Sequence, residues 1–311
     1  MRAFVFPGQG SQAVGMGKAL ADASAAARAV FEEVDEALEQ HLSRLMFEGP
    51  AEDLTLTANA QPAIMANAIA TLRVLEKEGG VKLADKADYV AGHSLGEYTA
   101  LCAAGALDLA TTALLLKHRG EAMQAAVPVG EGAMAALLGA DLSTAQKIAD
   151  AAAEGEVCTV ANDNDPSQVV ISGAKAAIDR AVAIAKDHGA KRAVLLPVSA
   201  PFHCPMMQPA ADAMDKVLAE TRIDTPLVPV FANVTAQPVS DVDTIRRLLV
   251  EQVTGMVRWR ESVANMADTG VERFVEFGGK VLGPMIKRIV PDVDATSVIT
   301  MDDIEALAKS F

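Results

Sequence analysis

Residues 92–96 read Gly92-His93-Ser94-Leu95-Gly96, a G-x-S-x-G pattern that places a hydroxyl where it could act as a nucleophile. The pattern belongs to a strained turn between a strand and a helix, with the serine Oγ presented at its tip. From the serine and glycine content of the chain, composition alone predicts roughly 0.06 such matches, so chance is a poor explanation. The competing reading is a glycine-rich turn with a solvent-facing serine. A serine hydroxyl is a weak nucleophile near neutral pH unless a base takes its proton. The chemistry therefore asks for a histidine.

Five histidines compete for that role. His93 adjoins Ser94, and side chains of neighbouring residues on a turn diverge. His41 lies in the charged stretch EQHLSR and reads as surface. His118 falls mid-helix, and His188 precedes Gly189 at what reads as a helix C-terminus, where the helix dipole favours it. His203 sits in PVSAPFHCP directly after a predicted strand, where Pro201 and Pro205 exclude regular structure. Loops leaving strand ends are where α/β proteins carry functional groups. Elimination selects His203 as the base; a buried histidine bonded to backbone is the alternative.

Arg119 is the second anomaly. On a helix through TTALLLKHRGEAM its neighbours at three and four positions are Leu115, Leu116, Ala122 and Met123, all apolar. A buried cation needs an anion, and the planar guanidinium suits a carboxylate. That anion is either an internal Asp or Glu or the carboxylate of a substrate. With Ser94 and His203, the second case describes an acyl-transfer site that selects a carboxylate-bearing acyl group.

The loop FPGQGSQ (6–12) also has two readings. One is a loose dinucleotide fingerprint, weakened by Pro7 at the turn and by Gly15 and Gly17 in the expected helix. The other is an oxyanion loop, whose amides would act with that of Leu95 on a tetrahedral intermediate. No acid presents itself as a third triad member, since Asp163 and Asp165 fall away from the core strands. The end of a helix over 241–253 offers free carbonyls instead, one of which could accept His203 Nδ1–H.

Around these residues the chain reads as strands and helices in alternation. A strand at 3–6 precedes a helix over 18–41, a second helix over 60–78, a strand at 89–91 and a helix over 95–104. Strand, turn and helix are the context the elbow requires. From 127 the order becomes β-α-β-β-α-β within about 70 residues, the ferredoxin-like plan, with strands at 133–138, 157–161, 168–172 and 193–197 and helices over 143–153 and 174–188. It reads as a small unit inserted in a larger α/β unit. The larger unit resumes with a helix over 207–221, an apolar segment at 228–232, a helix over 241–253 and a strand at 273–277.

Half the chain is hydrophobic and the net charge is −14, which disfavours nucleic acid as a partner. The three cysteines show no metal-ligand spacing, so neither a metal site nor a disulfide framework is expected, and the thiols suit a reducing cytoplasm. The first residues are too short an apolar stretch for a secretory leader, and no apolar run reaches a membrane span. A cytoplasmic protein with no membrane partner is expected, and a monomer.

Several blocks in order resemble the malonyl-CoA:acyl-carrier-protein transacylases: FVFPGQGSQ, GHSLGEY, KHRG, ANDNDPSQVVISG, VSAPFH, LVEQV with VRW, and GGKVLGPMIKRI. The resemblance implies an α/β-hydrolase-like core (1–126 and 199–311) carrying nucleophile and base, with the ferredoxin-like βαββαβ subdomain as residues 127–198. It implies Ser94 as the acylated nucleophile, His203 as its base, and Gln9 and Leu95 as oxyanion-hole amides. Arg119 would bind the malonyl carboxylate, Asn162 would touch the substrate, and Gln252 would orient the histidine through its main-chain carbonyl. The reaction would be ping-pong, from malonyl-CoA to acyl carrier protein, with no cofactor because the CoA thioester is itself a substrate. Phe202 resembles the malonyl-type form of its motif, whereas Gly255-Met256 depart from the common pattern. A serine hydrolase or thioesterase, a free-standing polyketide acyltransferase, and a noncatalytic nucleotide-binding module remain as other readings. Because acyl carrier proteins are acidic, Lys280, Lys287, Arg288, Lys191 and Arg192 are expected to form a local basic rim.

Overall fold

The first strand, β1 (Arg2–Phe6), explains the main sheet. Ala3 to Phe6 are fully buried, as expected for a strand covered on both faces. Because side chains alternate along a strand, Phe4 and Phe6 enter one apolar layer while Ala3 and Val5 enter the other. The computed structural model describes residues 1–311. Its remaining strands are β2 (Tyr89–Gly92), β3 (Gly132–Leu138), β4 (Cys158–Asp165), β5 (Gln168–Ala174), β6 (Arg192–Leu195), β7 (Val230–Phe231), β8 (Pro238–Val239), β9 (Arg273–Phe277) and β10 (Asp294–Val298).

The larger sheet runs β10-β9-β1-β2-β7-β8, parallel except for the β7–β8 pair. Helix Thr57–Lys77 packs over one face and is buried nearly all round, so it behaves as a core element rather than an amphipathic cover. The smaller sheet runs β4-β5-β3-β6, antiparallel throughout, with helices Leu142–Ala153 and Lys175–Ile184 against it and an apolar cluster of its own. The chain is thus a mixed α/β protein with two sheets. The two are joined where β4 kinks: Asp163 N–H donates to Val257 O at 3.0 Å and Val257 N–H to Ala161 O at 2.8 Å. Below that seam the buried carboxylates of Asp163 and Asp165 meet Arg260 and Arg288, each at 2.8 Å.

Two expectations are corrected. The helix over 18–41 is two helices, Lys18–Ala23 and Ala25–Leu38, parted at Ser24, whose extended backbone lets its side chain cap Ala27 N–H. Short helices at Leu42–Glu48 and Ala51–Thr55 carry too few residues to show a period. The larger sheet does not finish at β9: helix Leu282–Ile289, β10 and helix Met301–Lys309 complete it. No helix is long and apolar enough to cross a membrane.

Candidate active site

The elbow is fixed by the absence of side chains at its flanks. A Cβ on Gly92 would collide with the Gly96 carbonyl, and one on Gly96 with the Phe6 carbonyl at the end of β1. Ser94 between them takes φ 53°, a left-handed conformation that a residue with a Cβ rarely adopts. Asn233, just past β7, holds it there. Its Oδ1 accepts Ser94 N–H at 2.8 Å and its Nδ2 donates to Gly92 O at 2.7 Å.

His203 comes from the loop between β6 and the short turn Pro205–Met207 and also has a left-handed backbone, φ 54°. Its Nε2 lies 2.7 Å from Ser94 Oγ, and its Nδ1 lies 2.9 Å from the main-chain carbonyl of Gln252. A carbonyl only accepts, so Nδ1 carries the proton and Nε2 is left bare to receive the serine's. That carbonyl is available because Gln252 sits in the last turn of helix Val242–Thr254, where no later amide claims it. Burial pushes His203 down to about 3, the Arg119 guanidinium adds to the fall, and the Gln252 carbonyl opposes it. The resting imidazole is therefore neutral.

Arg119 is 1% exposed on helix Leu109–Ala125. Gly120 beside it lets that helix close on the start of Thr57–Lys77, where a Cβ would sit 2.7 Å from Thr57 O. The approach brings Gln61 within reach. Arg119 Nη1 donates to Gln61 Oε1 at 2.8 Å, and Nη2 to Gln252 Oε1 at 2.8 Å and to Ser94 Oγ at 3.1 Å. The Tyr98 ring lies 5.6 Å from the guanidinium carbon. Of the two anions left open by the sequence, no internal carboxylate touches Arg119; its acceptors are neutral.

The loop after β1 packs on the elbow. His93 N–H donates to Phe6 O at 3.1 Å, and a Cβ on Gly8 would sit 2.7 Å from His93 O. Gln9 and Leu95 line the cavity and their amides have no partner in the protein, whereas Gly10 N–H is taken by Gln12 Oε1. The first helix begins only at Lys18, so no helix N-terminus faces the loop as a dinucleotide site requires. A cavity of about 220 Å³ opens over Ser94, His203 and Arg119, with Met134 of β3, Asn162 of β4 and Leu196 just past β6 on its wall. A serine hydroxyl, a neutral imidazole, two residues with unpartnered amides and a buried cation share one cavity, an arrangement whose chemistry suits transfer of an anionic acyl group.

Residues 3–279 match the family model described as "Acyl transferase domain". The malonyl CoA-acyl carrier protein transacylase of Bacillus subtilis is 45% identical over 99% of this chain and 96% of its own. The chain belongs to the malonyl-CoA:acyl-carrier-protein transacylase family. Among solved members, the acyl-carrier-protein-S-malonyltransferase of Bartonella henselae is 53% identical, with a TM-score of 0.97 over 99% of this chain and 98% of that one. A structure described as a type II PKS acyl-carrier protein in complex with its malonyl-transacylase is 38% identical, with a TM-score of 0.96 over 100% of this chain and 99% of that one.

In this transacylase-family chain several polar residues at the site escaped the sequence reading. Gln61, Glu97 and Asn233 are all nearly fully buried. Glu97 had a visible signal: it lies on a helix, Gly96–Ala103, whose other residues are almost all apolar or small, so a carboxylate there must have partners. Burial pushes that carboxyl up to about 7, against the hydrogen bonds from Asn233 and Gln252. His93, set aside as the base, contacts Asn164 Oδ1 at 2.7 Å through Nε2. Of the residues expected to form a basic rim, Lys191 and Arg192 are exposed. Arg288 is bound to Asp165, and the Lys287 ammonium is engaged by the carbonyls of Pro291 and Val293.

Proposed function

We propose that the protein moves a malonyl group from malonyl-CoA to the phosphopantetheine thiol of acyl carrier protein through a malonyl ester on Ser94. The observation that carries this reading is Arg119, a buried cation 3.1 Å from Ser94 Oγ whose protein partners are all uncharged. Such a cation is costly unless an anion completes it, and a malonyl carboxylate would do so with the thioester carbon beside the serine.

Ser94 Oγ attacks the thioester carbon as its proton passes to His203 Nε2. The Gln9 and Leu95 amides receive the oxyanion, Asn162 meets the acyl group from the smaller unit, and the Gln252 carbonyl steadies the imidazolium. Collapse breaks the C–S bond, and His203 returns the proton to the departing CoA sulfur. The carrier thiol then repeats the sequence in reverse. Pairing of Arg119 with the incoming carboxylate offsets a charge that otherwise depresses His203, so the substrate raises the basicity of its own base. The thioester is already an activated donor, and the reading assigns no cofactor. A polyketide carrier in place of a fatty-acid carrier is a second reading, favoured by the complex with a type II PKS acyl-carrier protein.

The strand order β4-β5-β3-β6 and its separate apolar cluster support a ferredoxin-like subdomain over 127–198, inserted in an α/β-hydrolase-like core of 1–126 and 199–311. Three free, buried cysteines support a cytoplasmic setting. The test of the reaction is transfer of labelled malonyl to carrier protein with and without its phosphopantetheine arm. Label on the armed carrier alone is expected. Free malonate formed at the same rate without carrier would make the protein a hydrolase.

A further inference from the structure

Gln252 is contacted on three sides. Its main-chain carbonyl meets His203, its Oε1 accepts from Arg119, and its Nε2 donates to Glu97 Oε2 at 2.8 Å, to Ser94 O at 3.0 Å and to Asn233 Oδ1 at 3.1 Å. Glu97 Oε2 also accepts Asn233 N–H at 3.1 Å, and the residue is 3% exposed. A side-chain amide has one accepting and one donating end. Were that of Gln252 reversed, its NH2 would face the donors of Arg119 and its oxygen would face the Glu97 carboxylate. Both contacts repel. Of the three acceptors that hold the Nε2 end away from the arginine, Glu97 makes the shortest contact and is the only carboxylate, so it sets that orientation most strongly.

A carboxylate touching Arg119 directly would compete with the carboxylate of a substrate. Glu97 stays one side chain away, with the Gln252 amide between them, so the guanidinium is held in place while its strongest pairing remains open. Resting on the malonyl-transfer reading, we infer that Glu97 is a positioning residue for substrate selection: it fixes the Gln252 amide with its oxygen toward Arg119, which aims the guanidinium at the carboxylate of the acyl group. Acyl groups without a carboxylate do not use this arrangement. Nor does His203, which leans on the main chain of Gln252 rather than its side chain.

The test compares Glu97→Gln, which keeps the accepting oxygen at full reach, with Glu97→Asp, which keeps the acid but withdraws it by one methylene. The readout is the ratio of kcat/KM for malonyl-CoA to that for acetyl-CoA. Glu97→Gln is expected to stay within about threefold of wild type, whereas Glu97→Asp loses at least about tenfold in the ratio, mostly through KM for malonyl-CoA. Equal losses for both substrates in Glu97→Asp, an unchanged ratio there, or an equal loss of ratio in Glu97→Gln would each overturn the proposal. If Glu97→Asp does not fold by circular dichroism, Glu97→Ala replaces it with the same expectation. Failure of both to fold beside a well-folded Glu97→Gln would mark a scaffold role and also overturn it. Absence of malonyl transfer by the wild type would instead sink the function on which the inference rests.

Discussion

Arg119 has to be buried and available at once. Burial lowers its pKa while Tyr98 and Glu97 oppose the fall, yet a guanidinium has so much to lose that it stays a cation. Arg119→Ala removes the proposed receptor of the acyl carboxylate, and truncating one partner of a desolvated charge pair costs about 2–5 kcal/mol. Steady-state kinetics should show kcat/KM for malonyl-CoA falling by that amount while acetyl-CoA changes within about tenfold. Retained selectivity would mean that the acyl carboxylate binds elsewhere. His203 sets the pH behaviour. Its folded pKa of about 3 lies below the ordinary 6.5, so between those values the unfolded chain takes up a proton that the folded one does not. Its contribution makes stability fall as pH drops through that window and leaves it flat above. The neutral base persists in the same window, so kcat/KM for malonyl-CoA should hold level from about pH 8 to about pH 5. The profile is best taken in Glu97→Gln as well, which removes the titration of Glu97 near 7. A tenfold fall per pH unit below about 6.5 would mark an ordinary imidazole.

At the scale of elements, the elbow depends on contact between backbones. β1 ends at Phe6, whose carbonyl lies where a side chain on Gly96 would go, and the loop after it carries Gln9 to the cavity. Gly96→Ala must therefore push the helix after Ser94 off the end of β1. Thermal unfolding should show a loss of about 2–4 kcal/mol. Acylation of Ser94 should slow at least about a hundredfold, since a displacement of about 1 Å is enough to spoil reacting geometry. Normal acylation in that variant would show that the elbow tolerates the shift. Much of this was legible in the sequence, because G-x-S-x-G joins residue type to backbone shape, and prolines around His203 mark a loop. The amides of Gln61, Asn233 and the Gln252 side chain were not legible. Each comes from a different element, and only their convergence gives them meaning. The break at Ser24 was hidden for a related reason: an alanine-rich run has the helical period on both sides of a cap.

For the whole molecule the decisive feature is that the cavity has walls from elements of both sheets. Ser94, His203 and Arg119 belong to the larger sheet and its helices, while Met134, Asn162 and Leu196 belong to the smaller. The two sheets are tied at the Val257 seam, with the pairs Asp163–Arg260 and Asp165–Arg288 beside it. Arg260→Ala leaves the Asp163 carboxylate buried without its partner. Because Arg260 is itself a third exposed, the expected loss is about 2 kcal/mol rather than the ~3–5 of a fully buried pair, with a rise in KM for malonyl-CoA. Chemical denaturation and steady-state kinetics on the same variant check both, and an unchanged KM would show the wall to be independent of that pair. The sequence had discounted Asp163 and Asp165 as triad acids, and the structure gives them this separate work. What it could not supply was the bulge in β4 that turns them toward arginines of the other unit.

The central claim is a covalent malonyl group on one hydroxyl. The most direct measurement is the intact mass of wild type and of Ser94→Ala after brief exposure to malonyl-CoA, before and after addition of carrier protein. A single malonyl adduct on the wild type alone, discharged by the carrier, is the predicted result. An adduct that survives in Ser94→Ala, or malonyl transfer by that variant at the wild-type rate, would contradict the account.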